Sequence, residues 1–109
     1  MIEIGESDAV KELVRPLKAL ADETRLRLVK ILADQGPDAA LCVGALAGRL
    51  GISQSAVSQH LAVLRAAGLV VDERRGYFVH YRLQRSRLAA WQDQMRAALG
   101  DDLVGRDTT

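Results

Sequence analysis

The chain has 109 residues, of which 49% are hydrophobic and 27% charged, with a formal net charge of +1. This composition is typical of one globular domain rather than a disordered chain. No apolar run approaches the roughly 20 residues that cross a bilayer, and the acidic start at 1–8 lacks the basic region of a signal peptide. The single cysteine excludes an intramolecular disulfide. We therefore expect a cytoplasmic protein with no membrane partner.

Positive charge is concentrated in the middle of the chain. Residues 49–87 contain seven arginines and two acidic residues, a net charge of +5, whereas 1–48 and 88–109 each carry −2. Arginine suits phosphate and base-edge contacts because its planar guanidinium donates several hydrogen bonds in a fixed fork. The pattern fits a nucleic-acid surface, and it also fits an ordinary solvated basic face.

Apolar residues at helical spacing predict two helices in the first third of the chain. The first spans 9–20, and Pro16 inside it should kink or interrupt the helix because proline lacks the N–H for an intrahelical bond. Asp22 can cap a second helix by accepting a backbone N–H bond. The pair Gly36-Pro37 then ends that helix.

Two further helices follow, with a short turn between them. The third spans 42–50 and is ended by Gly51, and Ser53 caps a fourth helix that runs to about Ala67. Two short helices joined by a glycine-containing turn are typical of a helix-turn-helix.

The hydrophobic period then changes from helical to two. Segments 69–74 and 78–83 alternate around the turn at 75–77 and predict a β-hairpin. A last helix is predicted over about 86–99, with an apolar stripe long enough to serve a partner surface.

The predicted fold is mainly α with a small β-hairpin. It is a winged helix-turn-helix with four helices, a two-stranded wing and a C-terminal helix. We expect this DNA-binding and dimerisation domain to occupy 1–100 and to leave 101–109 as a flexible tail.

Short polar side chains crowd the first two turns of the fourth helix. A recognition helix enters the major groove of DNA by its N-terminal end, where serine can bond phosphates or bases and glutamine can pair with adenine. An arginine further along can reach a phosphate, and the tip of the hairpin can lie along the minor groove or the backbone. The predicted DNA-binding residues are Ser53, Gln54, Ser55, Ser58, Gln59, His60, Arg65, Arg74, Arg75 and Tyr77.

A plainer interpretation stays open for each part of this surface. Ser53 can be only a helix cap, the other polar residues an ordinary solvent-facing surface, and the hairpin a solvated turn. The same scaffold can also serve as a dimeric adaptor that binds no DNA. No set of carboxylates, nucleophiles and bases has a spacing that would make it catalytic, so we do not expect an enzyme.

Three segments resemble the ArsR family of small winged-helix repressors, and the resemblance covers about residues 10–100. It implies a homodimer that binds double-stranded DNA and leaves it when an effector arrives. Two recognition helices in successive major grooves imply an imperfect inverted-repeat operator. The segments are 21–32 (ADETRLRLVKIL), 53–70 (SQSAVSQHLAVLRAAGLV) and the wing, with Arg75, Gly76, Tyr81 and Leu83.

The resemblance places the dimer interface on the first and last helices. Both ends of the chain carry apolar stripes that fit this role. A domain of this length buries only a modest core, so dimerisation would stabilise it. The expected interface residues are Leu13, Leu17, Leu88, Trp91 and Met95.

Two metal sites found in the ArsR family are incomplete in this sequence. One is a Cys-x-Cys on the third helix, where Cys42 matches the first thiolate but Gly44 stands at the second. A soft ion needs two or three thiolates. The other site uses Asp, His and Glu on the last helix, where 84–99 contains no His and only Asp93. We therefore expect no metal and no cofactor, and the effector stays open.

Cys42 and the two histidines have both plain and functional interpretations. Cys42 can be a small buried hydrophobe at a helix start, or a thiol that senses oxidants, electrophiles or metalloids. We expect His60 to pack between helices or contact the DNA backbone, and His80 to be an exposed wing residue. Both histidines are expected to lie too far from Cys42 to share a metal ion with it.

Overall fold

The computed structural model describes residues 4–37 and 39–100, so the predicted tail at 101–109 lies outside the described residues. Within them the order of helices and hairpin agrees with the prediction, and one short strand is added. In chain order the elements are α1 (Ile4–Leu20), α2 (Glu23–Asp34), β1 (Leu41–Cys42), α3 (Val43–Leu50), α4 (Gln54–Ala66), β2 (Val70–Arg75), β3 (Phe78–Leu83) and α5 (Arg85–Leu99).

The first helix is longer than predicted and passes through its proline. α1 begins at Ile4 and continues over 17 residues with Pro16 inside, so the predicted interruption is wrong. Proline removes the bond to the carbonyl four residues earlier, that of Glu12. Packing of α1 against α2, α4 and α5, with a bond from Trp91 Nε1–H to the Leu13 carbonyl at 3.0 Å, stabilises the helix despite that loss.

The helix-turn-helix is built on a small aliphatic core. Leu28 of α2, Leu46 of α3 and Leu61 of α4 are fully buried, and Leu83 closes the core from the sheet. Apolar residues at three- and four-residue spacing turn one face of each helix inward. Because side chains in such a core are close-packed, α3 and α4 are held at one angle and α4 presents its opposite face outward.

Local capping determines where the helices of this unit begin and end. Asp22 Oδ2 accepts the backbone N–H of Arg25 at 3.0 Å at the start of α2, and Ser53 Oγ accepts that of Ala56 at 3.1 Å at the start of α4. Gly51 ends α3 with a φ of +68°, in the left-handed region that favours glycine. These three predicted signals are confirmed.

The sheet has three strands, one more than predicted. β2 and β3 pair antiparallel along their whole length. β1 pairs with the other edge of β3 at Leu41↔Tyr81 and Cys42↔His80, which gives the strand order β1-β3-β2. A two-residue strand is too short to show alternation, so the pattern of the sequence does not reveal it.

Candidate nucleic-acid interface

α4 presents a polar face to solvent and an apolar face to the core. Its buried residues Val57, Leu61 and Leu64 are all 0% exposed. Because they fix the rotation of the helix, the other side of its first two turns is held outward. The residues exposed there are the ones predicted to contact DNA: Ser53, Gln54, Ser55, Ser58 and Gln59.

The start of α4 lies beside the start of α3 and the tip of the wing. A Cβ placed on Gly44 would lie 3.5 Å from Nε2 of Gln54, so this glutamine side chain extends towards the first turn of α3. The predicted recognition helix and wing are therefore adjacent in space. A shallow cleft between the three elements is lined by Cys42, Val43, Gly44, Gln54, Tyr77, Phe78 and Val79.

The tip of the wing is a tight turn with two exposed aromatic rings. Gly76 has a φ of +65°, and Tyr77 does not share this sign, which is typical of a type II′ hairpin turn. Tyr77 is 96% exposed and Phe78 64% exposed. The sequence prediction omits Phe78, although its position directly after the turn is a signal of exposure.

Two of the predicted phosphate-binding arginines have acidic partners within the protein. Arg65 Nη1 lies 3.1 Å from Asp72 Oδ2, and Arg75 Nη2 lies 3.0 Å from Glu73 Oε1. The hydrogen bond from Arg75 holds the pKa of Glu73 below its ordinary value. Both pairs are well exposed to solvent, so a phosphate can compete with the carboxylate for each guanidinium.

Two other arginines differ in whether their guanidinium groups are already bonded within the protein. Arg74 is exposed and has no ion pair or hydrogen bond to any residue that the structure describes. Arg85 Nη2 instead donates to the carbonyls of Leu32, Ala33 and Gly36 at 3.3, 3.0 and 2.7 Å. A cation is favourable there because the C-terminal end of a helix carries a partial negative charge on its last carbonyls. The basic excess in the middle of the chain therefore includes an arginine with a structural role.

His60 lies on the side of α4, and its ring contacts other side chains of the protein. Its Nδ1 is 3.3 Å from Nη1 of Arg25 and 3.9 Å from Oδ2 of Asp22, and its side chain is 26% exposed. The backbone hydrogen bond from Arg25, with help from the nearby guanidinium, holds the pKa of Asp22 below its ordinary value. These contacts agree with the helix-packing interpretation of His60.

Two expectations about His80 are wrong. It is partly buried rather than exposed, and its Nδ1 is enclosed without a hydrogen-bond partner among the described residues. It is also directly opposite Cys42 in the β1–β3 ladder, so the two side chains lie on the same face of the sheet rather than far apart. The second difference arises from β1, which pairs with an edge of β3 that the sequence pattern leaves unpaired.

Neither a metal centre nor a membrane span is found in the described part of the chain. Among the side chains that the structure describes within 4–37 and 39–100, no three of the types His, Cys, Asp and Glu are grouped to hold a metal ion. The pair Cys42 and His80 alone is short of the ligands that a soft ion needs. No helix in the same ranges is long and apolar enough to cross a membrane.

α1 and α5 lie against each other and leave apolar surface exposed. Trp91 is bonded to the Leu13 carbonyl, and Leu88 packs against the core. Leu17 is 42% exposed, and Met95 is partly buried. The predicted interface residues therefore divide between contacts within the protomer and outward positions. A groove between the two helices is lined by Ala9, Val10, Glu12, Leu13, Gln94, Ala97 and Ala98.

The arrangement of α3, α4 and the adjoining hairpin defines a winged helix-turn-helix protein. The sequence profile of bacterial regulatory proteins of the arsR family matches residues 22–71. The arsenic resistance transcriptional regulator ArsR1 of Pseudomonas putida is 39% identical over 95 residues, which are 84% of this chain and 71% of that protein. The chain belongs to the arsR family, and it is a DNA-binding transcriptional regulator.

Solved structures support the same assignment. Reduced HlyU from Vibrio cholerae is 36% identical, with a TM-score of 0.69 over 86% of this chain and 95% of that one. The homodimeric winged helix-turn-helix DNA-binding domain of a possible ArsR-family regulator from Mycobacterium bovis is 26% identical, with a TM-score of 0.71 over 94% and 91% of the two chains. In curated relatives of 39–45% identity, the match spans 58–74% of the relative's length.

Proposed function

We propose that this regulator is a homodimeric repressor that binds an imperfect inverted repeat in double-stranded DNA and leaves it when an effector binds. The observation that carries the proposal is the outward polar face of α4, held by a buried opposite face and flanked by the wing. A repressor function is supported by the arsenical resistance operon repressor of Escherichia coli, which is 45% identical over 78 residues.

The first two turns of α4 would read the bases. Gln54 and Gln59 can each make two hydrogen bonds to an adenine edge, and Ser55 and Ser58 can bond a phosphate or a base. The hydroxyl of Ser53 already accepts a backbone N–H, but it can still donate its own proton to a phosphate. These five residues therefore supply both the register and the sequence discrimination of the complex.

The wing and the arginines would bind the DNA backbone. Arg74 is the best placed because it has no acidic partner in the described ranges. Arg75 and Arg65 would exchange a carboxylate for a phosphate, so each contributes less net affinity. The exposed ring of Tyr77, together with Phe78, can lie against sugars in the minor groove next to the recognition helix.

The dimer would form through α1 and α5. Their shared groove and the outward apolar side chains at Val10, Leu17 and Leu99 offer a surface that a second copy can cover. The homodimeric domain from Mycobacterium bovis, which this chain matches over 94% of its length, supports the same assembly. A two-fold dimer presents two α4 helices to two half-sites of opposite direction.

A selection experiment tests the proposal. The parent protein selects duplexes from a random pool, and footprinting on a selected duplex measures the protected length. We expect two half-sites of opposite direction whose centres lie about one helical turn, or a multiple of it, apart. Affinity should fall steeply with salt, by about 0.9 log units per log unit for each phosphate contact. A single half-site bound by one protomer would overturn the dimer.

Substitutions in α4 test sequence reading directly. Gln54→Ala and Gln59→Ala should each weaken binding to the selected duplex by about fivefold to a hundredfold, since a bidentate base contact is worth roughly 1–3 kcal/mol. Both should leave binding to a scrambled duplex unchanged. Gln35→Ala is the matched control, because Gln35 is an exposed glutamine at the end of α2. Equal losses on both duplexes would contradict the assigned role.

A second candidate concerns the signal that releases the DNA. Cys42 lines the cleft that contains Gln54 and Tyr77, so a group attached to its sulfur would displace the start of α4 or the wing. Alkylation with iodoacetamide should then weaken binding of the parent to the selected duplex, while Cys42→Ser binds equally before and after treatment. Unchanged affinity of an alkylated parent would exclude Cys42 as the sensor.

A further inference from the structure

Arg25 connects the end of one helix to the side of another. Its side chain leaves the first turn of α2, and its Nε donates to the carbonyl of Ala19 in α1 at 2.6 Å. Its Nη1 reaches Nδ1 of His60 in α4 at 3.3 Å. A single guanidinium thus bridges the last turn of α1 and the middle of the predicted recognition helix.

The hydrogen bond between Arg25 and His60 can have only one direction. A guanidinium is a donor only, so Nδ1 of His60 must accept, and the proton of the neutral imidazole is then on Nε2. The carboxylate of Asp22 faces the same nitrogen at 3.9 Å and also accepts the backbone N–H of Arg25. The N-cap of α2 and the flank of α4 are therefore parts of one network.

Side-chain packing between α1 and α4 is incomplete beside this bridge. Ala19 is 4% exposed at the base of an open cleft between the two helices. Small side chains leave this gap unfilled, so a polar bridge can hold a relative position that interdigitated side chains would otherwise determine. The cleft is lined by Arg15, Lys18, Ala19, Arg25, Val63, Ala66 and Ala67.

We infer that Arg25 is a positioning residue for DNA recognition, which sets where α4 stands relative to α1 through its bonds to Ala19 and His60. The inference rests on the proposed function, because α1 belongs to the proposed dimer interface. In a dimer built on α1 and α5, the position of α4 relative to α1 determines the separation of the two recognition helices. Arg25 therefore determines which half-site spacing the dimer accepts.

The test compares substitutions at Arg25 with one at a neighbouring arginine. Arg27 lies on the same helix, is 63% exposed and, among the described residues, pairs only with Glu23, so Arg27→Ala is the matched control. The probes are a selected duplex of the parent, versions with the central spacer one or two base pairs longer or shorter, and a scrambled duplex. Dimer dissociation is measured in parallel by sedimentation.

We expect Arg25→Ala to weaken binding to the selected duplex about tenfold or more, because hydrogen bonds to a charged group are lost. It should also reduce the discrimination between the selected spacer and its altered versions. The salt dependence of binding and the dimer dissociation constant should stay as in the parent. Arg25→Lys should resemble Arg25→Ala, because an ammonium keeps the charge but not the fork that reaches two acceptors.

The salt dependence separates positioning from direct phosphate contact. If Arg25 bound a phosphate, Arg25→Ala would lower the slope of log affinity against log salt by about 0.9 for each half-site, and Arg25→Lys would restore it. If the parent binds an inverted repeat and Arg25→Ala still discriminates between spacers as the parent does, the inference about Arg25 is wrong. The proposed function would not be affected by that result. Failure of the parent to prefer any duplex would instead overturn the proposed function.

Two further measurements keep the inference testable if Arg25→Ala does not fold. His60→Asn offers an amide oxygen near the place of Nδ1 and should retain the parent's spacer discrimination, whereas His60→Leu should lose it. Nitrogen NMR of the parent should show the His60 proton on Nε2. A proton on Nδ1 of the neutral ring would contradict the bridge.

Discussion

α4 and α5 are helices of similar length with opposite relations to the core. α4 has 13 residues and buries Val57, Leu61 and Leu64 completely. α5 has 15 residues, and none of these 15 residues is buried. A helix needs tertiary packing of its apolar face to be stable in water, so α4 is held by its own chain, whereas α5 has apolar surface left for another molecule.

Under the proposed function, this difference separates two tasks, DNA recognition by α4 and dimerisation by α5. A recognition helix must keep its polar face in one orientation, which a close-packed core provides. A dimer helix must leave apolar side chains uncovered in the protomer, as Leu99 does at 64% exposure. Arg25 lies between the two tasks, because its bonds join α1 to α4.

The largest effect is expected from the core side of α4. Leu61→Ala should lower the free energy of unfolding by about 2–5 kcal/mol, since it leaves a cavity among fully buried side chains. Urea denaturation followed by circular dichroism measures this change. Leu26→Ala, at a leucine that is 54% exposed on α2, should change it by no more than about 0.5 kcal/mol. A comparable loss in both variants would contradict the assigned core.

The next effect concerns the terminal helices. Leu17→Glu should raise the dimer dissociation constant at least tenfold, because a buried carboxylate without a partner is costly in an apolar interface. Leu26→Glu, at a similarly exposed leucine outside that surface, is the control. Sedimentation equilibrium measures both constants. A parent-like dimer in Leu17→Glu would place the interface elsewhere.

A smaller effect separates arginines of the middle region. Arg74→Ala should lower the salt slope of DNA binding by about 0.9 for each half-site. Arg85→Ala should leave that slope unchanged and reduce stability instead, because Arg85 bonds the last carbonyls of α2. Fluorescence titration at several salt concentrations measures the slopes. A lower salt slope in Arg85→Ala, with an unchanged slope in Arg74→Ala, would show that Arg85 binds phosphate and Arg74 does not.

The smallest effect is expected in acid. The pKa of Asp22 lies below its ordinary value of 3.8, chiefly because its carboxylate accepts the backbone N–H of Arg25. A carboxylate with a lowered pKa stabilises the folded state above the unfolded pKa, and this contribution is lost as pH falls through the folded pKa. Below about pH 4 the parent should therefore lose stability faster than Asp22→Asn in urea titrations. Parallel curves would contradict the role of the ionised cap.

The sequence alone predicted the parts of the fold that depend on neighbouring residues. The helix-turn-helix, the Ser53 cap and the Gly51 terminus follow from period and capping chemistry, which act over a few residues. The outward face of α4 follows as well, because one apolar stripe fixes the rotation of a helix. The resemblance of 53–70 to the ArsR family is also confirmed. It could be recognised from the sequence because its motif is continuous in the chain.

Only the tertiary structure decided the features that join distant segments. β1 pairs with β3 across some 40 residues and brings Cys42 opposite His80. Arg85 reaches the end of α2, and Arg25 reaches His60 in α4. The amino-acid composition gives the positive charge of each arginine but not the contacts that the arginine makes. Whether that charge is free for a phosphate or bonded to a carbonyl depends on which backbone folds beside it, and that is a property of packing rather than of local pattern.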